Sequence, residues 1–325
     1  MTRLQRISVL ALVFFMSLSA AVLRAQAPAT QKQDIVAEVR ALIAKSDFAA
    51  AEQSVRAYAK DKGWTPEALE AISWMARGNL AANRLDEANR FAYETERLAN
   101  AALEKRQLDA EPRLPIALGA SLEVQALVLS QQGQRGEGVR LLERNLAEFG
   151  KTSIRARLLK NINLLSLEGR PAPAYQTAEW IGEKPPTLAQ LKGKPVILFF
   201  WAHWCPDCKG MAATLAELQT TYRDSGLTIV APTQRYGYVA KRAAAEVPAE
   251  MTYIGEVLKE FYGNVKMSVP VSAESFANYG SSTTPTIVIV DREGIVRLYH
   301  PGQMTKAELE PHIQAVTKRS TNVRN

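Results

Sequence analysis

From Gln31 to about Gly169, apolar residues recur every three or four positions along the chain. That rhythm predicts amphipathic helices. Thr65-Pro66-Glu67 marks one start, with Thr65 as cap and Pro66 in the first turn. Leu69, Ile72, Met75, Ala76 and Leu80 then form one apolar face. Leu85, Ala88, Phe91, Ala92, Thr95, Leu98 and Ala99 form the next. Beyond Gly169 the pattern changes. Solid apolar runs predict buried strands at Val196–Trp201, Leu227–Ala231, Thr286–Val290 and Ile295–Tyr299. Between and after them, helices are predicted at Cys208–Arg223, Pro248–Tyr262, Ala273–Tyr279 and Lys306–Val316. Asp291-Arg292-Glu293-Gly294 reads as a hairpin turn. The fold class expected is an α/β domain preceded by an all-α domain of helical hairpins.

Short helix–turn–helix units recur within the first half. Ser46-Asp47-Phe48-Ala49-Ala50-Ala51-Glu52 compares with Arg84-Leu85-Asp86-Glu87-Ala88-Asn89, and more weakly with Gln134-Arg135-Gly136-Glu137-Gly138-Val139. The offsets are 37 and then 50 residues. The first is near the tetratricopeptide period of ~34, and the second needs an insertion, placed at Lys105 to Pro115. This half resembles a degenerate tetratricopeptide-like array, which implies a concave surface for a protein partner. A generic helical bundle fits the same pattern and implies no function. Gly169-Arg170-Pro171-Ala172-Pro173-Ala174 ends the helical stretch in extended chain.

The N-terminus has its own pattern. Arg3 and Arg6 precede an apolar run from Ile7 to Leu23, and Ala25-Gln26-Ala27 follows as a small-x-small site. This reads as a secretory leader, residues 1–27. The alternative is an uncleaved membrane anchor. No cysteine stands near the cleavage site, so a lipoprotein-type anchor is excluded. Export places the mature chain in the periplasm or another extracytoplasmic space. The organisation expected is a leader at 1–27, a helical domain at 28–169, a linker at 170–174, an α/β domain at 175–318 and a tail at 319–325.

The net charge of +7 falls to about +4 once Arg3, Arg6 and Arg24 leave with the leader. Acids and bases are interspersed, so no nucleic-acid footprint stands out. The densest basic cluster, Arg235 to Arg242 with Tyr236 and Tyr238, reads as a solvated loop.

Candidate chemistry sits in Trp201-Ala202-His203-Trp204-Cys205-Pro206-Asp207-Cys208-Lys209, which holds the chain's two cysteines. Cys-x-x-Cys lies at a strand-to-helix junction. A helix start stabilises a thiolate, and the spacing allows a reversible disulfide. Closing so small a loop removes little unfolded-state entropy, so a structural staple is a poor explanation. A zinc site wants four ligands; of the three histidines only His203 is near, with His300 and His312 far along the chain. No metal and no other cofactor is expected.

The second half also resembles the thioredoxin superfamily, and most of all its exported TlpA/ResA-type thiol–disulfide oxidoreductases. The match rests on Leu188 through Cys208, on Tyr279-Gly280 through Thr284-Pro285 to Asp291-Arg292-Glu293-Gly294, and on Gly302 with its following helix. The resemblance implies that Cys205 is the exposed attacking thiol and Cys208 the buried resolving thiol. It implies a cis Pro285 facing the disulfide, with Thr284 offering backbone to an extended substrate. It makes Trp204 an apolar lid and His300-Pro301-Gly302-Gln303 the loop that completes the groove. Partners implied are protein disulfides and an upstream exported or membrane thiol donor.

Two departures bear on the proton released during exchange. Where relatives place a buried acid in the preceding strand, this chain has Phe199. Where others place a glutamate after the second cysteine, it has Met211. His203, a rim residue by this reading, Asp207 or water is left as the acceptor. Asp207 puts a negative charge beside the thiols. It opposes the thiolate and predicts a reducing couple. A peroxidase reading is disfavoured, because Leu198 and Ala202 stand where the peroxidatic motif needs Pro and Ser or Thr. A partner-binding scaffold or metal carrier with an auxiliary redox domain is the alternative from a different class.

Overall fold

The computed structural model describes residues 34–318. The expected leader at 1–27 and tail at 319–325 lie outside the described residues.

Seven helices build the first half: α1 (Ile35–Ala44), α2 (Phe48–Lys62), α3 (Pro66–Ala81), α4 (Leu85–Leu103), α5 (Arg113–Gln131), α6 (Arg135–Phe149) and α7 (Arg155–Ser166). Thr65 caps α3 by accepting from the Ala68 N–H at 3.3 Å. Three successive hairpins turn alike. Asp47, Arg84 and Gln134 each donate a backbone N–H back to the residue five before, at 3.0, 2.9 and 2.8 Å. The residue ahead of each donor has positive φ: Ser46, Asn83 and Gly133. These turns share the offsets seen in the sequence. The insertion between α4 and α5 holds one turn of 3-10 helix, Leu108–Ala110. α5 is the central helix, with Leu114, Leu118, Leu122 and Val128 buried against α3, α4 and α6.

The second half is a six-stranded sheet in the order β1 (Trp180–Ile181), β4 (Met267–Pro270), β3 (Thr228–Val230), β2 (Val196–Phe200), β5 (Thr286–Val290), β6 (Val296–Pro301). β2, β3 and β4 are parallel; β1, β5 and β6 pair antiparallel to their neighbours. β2 and β5 are buried at every position, as central strands with both faces covered must be. On one face lie α9 (Ala212–Thr221), α10 (Val247–Tyr262) and α12 (Lys306–Thr317), through Leu215, Ile254, Leu309 and Ile313. On the other lie Phe276 and Tyr279, at the end of α11 (Ala273–Asn278), with Tyr175. β1 and β4 were not expected: β1 has only two residues, and Ser268 and Pro270 deny β4 a solid apolar run. The predicted helix from Cys208 instead starts at Pro206, as α8 (Pro206–Gly210), and breaks at Met211 before α9.

The β5–β6 turn is held by Asp291, whose Oδ1 accepts from the Glu293 and Ile295 N–H groups at 3.0 and 2.8 Å. The Gly169–Ala174 segment is extended and pinned to β6. Gly169 donates to Val296 O at 2.8 Å, Val296 to Arg170 O at 2.9 Å, and Ala172 to Gly294 O at 2.9 Å. From Ile35 onward the two halves form one compact unit. At their junction Asn163 Nδ2 donates to Asn278 O at 3.3 Å, and Tyr299 N–H donates to Glu168 Oε1 at 3.1 Å.

Candidate active site

The end of β2 is clamped before the cysteines begin. Trp201 donates its N–H to Pro232 O at 3.1 Å and its indole Nε1–H to Ala231 O at 3.0 Å. Thr233 Oγ1 donates to Trp201 O at 2.8 Å. The chain then turns so that Cys205 becomes the N-cap of α8, with Pro206 in the first turn. A proline there loses no hydrogen bond, since its N–H would have had no partner in the helix. Cys205 and Cys208 are joined as a disulfide, their Cα atoms 5.3 Å apart. The Cys208 N–H donates to Cys205 Sγ at 3.1 Å, so the helix start offers that sulfur a donor that would stabilise a thiolate.

The opposing wall comes from the loop before β5. The Thr284–Pro285 bond is cis. Thr284 O lies 3.4 Å from Cys205 Sγ. Gly302, at φ +119°, donates its N–H to Pro285 O at 2.8 Å, which ties the end of β6 to the same wall. Cys205, Cys208, Thr284, Pro285 and Gly302 are thus brought together from three segments. Trp204 stands at the rim, 44% exposed, its ring 5.5 Å from that of Tyr236. Asp207 is exposed on the first turn of α8.

Three expectations are corrected here. Cys205 is not exposed: it is 2% accessible against 0% for Cys208, because its sulfur turns inward between the Cys208 amide and the Thr284 carbonyl. His203 is not a rim residue. It is 1% accessible, and its ring meets those of Tyr236, Tyr238 and Tyr253 edge-on at 5.4–5.5 Å. The basic loop is not simply solvated either. Arg235 is exposed and paired with Glu179, while Tyr236 and Tyr238 turn in against His203.

The buried acid missing at Phe199 and Met211 enters from elsewhere. Glu250, in the first turn of α10, is 1% exposed, and its Oε1 lies 3.4 Å from His203 Nε2. Its carboxylate accepts from the backbone N–H of Tyr236 and, at 2.9 Å, of Gly237. Among the described residues Nδ1 of His203 has no hydrogen-bond partner, and Nε2 has only the long 3.4 Å approach to Glu250. Burial pulls the imidazole below its ordinary value, and the glutamate only partly opposes this. His203 is therefore neutral at pH 7 and able to accept a proton. In the sequence Glu250 looks like any acid near a helix start. Its one local signal, Val247-Pro248 opening a helix, says nothing of its partner.

Among the described residues no group of three or more His, Cys, Asp or Glu side chains gathers as a metal site. What the arrangement can do is exchange a disulfide beside a backbone carbonyl and a helix-start amide.

Residues 185–317 match the model of a family described as a thioredoxin-like domain, and all five residues of the assembled site fall inside that span. The chain is 31% identical over 146 residues to the thioredoxin-like protein YneN of Bacillus subtilis (strain 168), covering 44% of this chain and 76% of that protein. It is 28% identical over 153 residues to the thiol-disulfide oxidoreductase ResA of Bacillus thuringiensis (strain Al Hakam), covering 46% and 78%. A solved structure of a putative thiol:disulfide interchange protein DsbE from Chlorobium tepidum is similar at 25% identity and a TM-score of 0.37, covering 46% of this chain and 98% of that one.

Proposed function

The chain belongs to the thioredoxin-like family and is a thiol–disulfide oxidoreductase, and we propose that it works outside the cytoplasm, reducing protein disulfides through Cys205 and Cys208. One observation carries this reading. The chain's two cysteines form a disulfide whose first sulfur takes the helix-start amide of Cys208 and faces the Thr284 carbonyl. The leader pattern at residues 1–27 supports export.

In the reduced enzyme the Cys205 thiolate attacks a substrate disulfide. One substrate sulfur leaves as a thiolate and the other stays bonded to Cys205. Cys208 then gives up its proton, attacks Cys205 Sγ and releases the second substrate thiol. Two electrons pass to the substrate and the Cys205–Cys208 bond forms. An exported or membrane-bound thiol donor restores the dithiol. We assign the proton from Cys208 to His203, which is neutral, has an unpartnered Nδ1 and is backed by Glu250. Trp204 shields the exchange from water. Asp207 biases the couple toward reduction. The recurring hairpin turns at Ser46, Asn83 and Gly133 support reading the helical half as a degenerate tetratricopeptide-like array.

A Cys208→Ala variant tests this directly. In its own compartment it should accumulate mixed disulfides between Cys205 and substrate proteins, visible as adducts that a reductant dissolves. A variant that traps no such species would refute disulfide reduction as the activity.

A further inference from the structure

The helical half reaches the redox site through one loop. Tyr279 and Gly280 lead from α11 into the segment that ends in Thr284-Pro285. Gly280 has φ +61°, and a Cβ there would lie 2.1 Å from Lys160 N and 2.5 Å from the Leu159 carbonyl carbon. The loop therefore lies directly on the backbone of α7. Arg155 Nη2 and Asn163 Nδ2 hold its start at Asn278, by 3.1 and 3.3 Å hydrogen bonds.

Beside this joint is a cleft of about 720 Å³. One wall is Ser282 and Thr283. The other is Pro112, Pro115, Ile116 and Ile154, from the start of α5 and the turn before α7. Its charged groups are already engaged within the protein. Asp109 accepts from Ser153 N–H at 3.0 Å, Glu111 from Arg113 and Leu114 N–H at 2.8 and 2.6 Å. Arg157 and Lys160 both hold Glu123 at 3.1 Å. The cleft is left to recognise apolar surface.

We propose that this cleft is a substrate subsite: it takes an apolar side chain from an extended polypeptide segment next to the cysteine under attack. The proposal rests on the dithiol reading above. Its argument is continuity. Thr283 lines the cleft, and the carbonyl of the next residue, Thr284, is 3.4 Å from Cys205 Sγ. A segment bonded to Cys205 and lying along Thr284 advances about 3.3 Å per residue. Its second to fourth residues from the cysteine therefore reach Ser282, Thr283 and the cleft. The volume is in the range of sites that enclose a small ligand, about 300–1,000 Å³. Specificity for a protein partner thus comes from the helical half, and the chemistry from the sheet half.

The test uses the full reduced chain and synthetic ten-residue peptides. Each peptide carries one cysteine as a mixed disulfide with thionitrobenzoate. Attack by Cys205 on the peptide sulfur releases coloured thionitrobenzoate, and Cys208 then frees the peptide thiol. Leucine or serine is placed three residues from the cysteine, on either side in separate peptides. On one side the leucine peptide should react roughly tenfold faster than its serine twin. In Ile116→Lys and in Ser282→Arg that ratio should fall close to one. Ile116 is half-buried and Ser282 exposed, so neither change opens a core. Equal leucine and serine rates in the unaltered protein, or a ratio that survives both variants, would overturn the subsite. Failure of the unaltered protein to react even with 5,5′-dithiobis(2-nitrobenzoate) would instead bring down the dithiol reading, and the subsite with it.

Discussion

Each half of the molecule draws a glutamate inward, Glu123 partly buried and Glu250 fully so, and the two are held by different means. Glu123 on α5 is held by Lys160 Nζ and Arg157 Nε, each at 3.1 Å, with Asn161 Nδ2 donating at 3.1 Å. Burial alone would raise its pKa, but the two α7 cations prevail and hold the carboxyl below its ordinary range. Glu250 on α10 meets two backbone amides and an imidazole that burial keeps neutral. Two cations on one carboxylate make a fixed joint, here locking α5 to α7 beneath the proposed subsite. His203 is held neutral at pH 7 and gains charge only as pH falls below its ordinary 6.5. The helical half is built to hold still; the sheet half keeps one buried neutral imidazole two residues before Cys205 in the chain.

The hardest blow to this comparison should come from Gly280→Ala. The new Cβ has no room against the α7 backbone, and the residue sits at φ +61°. The joint between the halves must open, with a loss on the order of 3 kcal/mol or more. Urea unfolding would show it as a lower midpoint or as two separate transitions. An unchanged midpoint would mean that α7 does not fix the loop.

Glu123→Ala comes next. It leaves Lys160 and Arg157 without their shared carboxylate. Breaking a fully buried pair costs about 3–5 kcal/mol, and these side chains are about a fifth exposed, so about 2 kcal/mol is expected. The loss should be no smaller at pH 5.5 than at pH 7.5, because Arg157 stays charged and burial disfavours the Lys160 ammonium once its carboxylate is gone. A loss that shrank toward pH 5.5 would contradict the fixed-joint description.

His203→Gln sharpens the other side. The folded-state pKa of His203 lies below its ordinary 6.5. Between those values the unfolded chain binds the proton and the folded chain does not. The unaltered protein therefore has its full stability above about pH 6.5 and loses it as pH falls through the window, by at most about 1.4 kcal/mol per pH unit. Unfolding series from pH 7.5 to 5 should show that component vanish in the variant. The same variant should slow the release of a trapped substrate by Cys208. A release rate indifferent to the substitution would remove His203 as the proton acceptor.

The smallest effect is expected at Asp207, exposed and solvent-screened. Asp207→Asn removes a charge that opposes the thiolate, and should make the couple more oxidising by on the order of 20 mV. A redox titration against glutathione reads this. A shift toward reduction would reverse the role given to Asp207.

What was legible in the sequence follows contact distance. Helical periodicity shows α3 and α4 as they stand, and the apolar run Thr286–Val290 is β5 residue for residue. Both depend on neighbours within a few positions. β1 escaped because two residues have no rhythm, and β4 because Ser268 and Pro270 interrupt its apolar run. The linker was legible as extended chain, but not as chain hydrogen-bonded to β6, since its partners Gly294 and Val296 lie more than 120 residues away.

The sequence by itself determined the Cys-x-x-Cys pair, the helix start that caps it and the change from helical to alternating grammar, while Thr284-Pro285 as the facing wall was what the resemblance implied. Each is a local matter of residue type and spacing. Only the tertiary structure decided that Cys205 is buried, that the tyrosines of a basic loop close over His203, and that Glu250 arrives from α10 to stand beside it. It also decided that α7 carries the loop opposite the disulfide and opens a cleft next to it. These rest on where distant segments cross, and a crossing is set by packing of the whole chain, which no local period records.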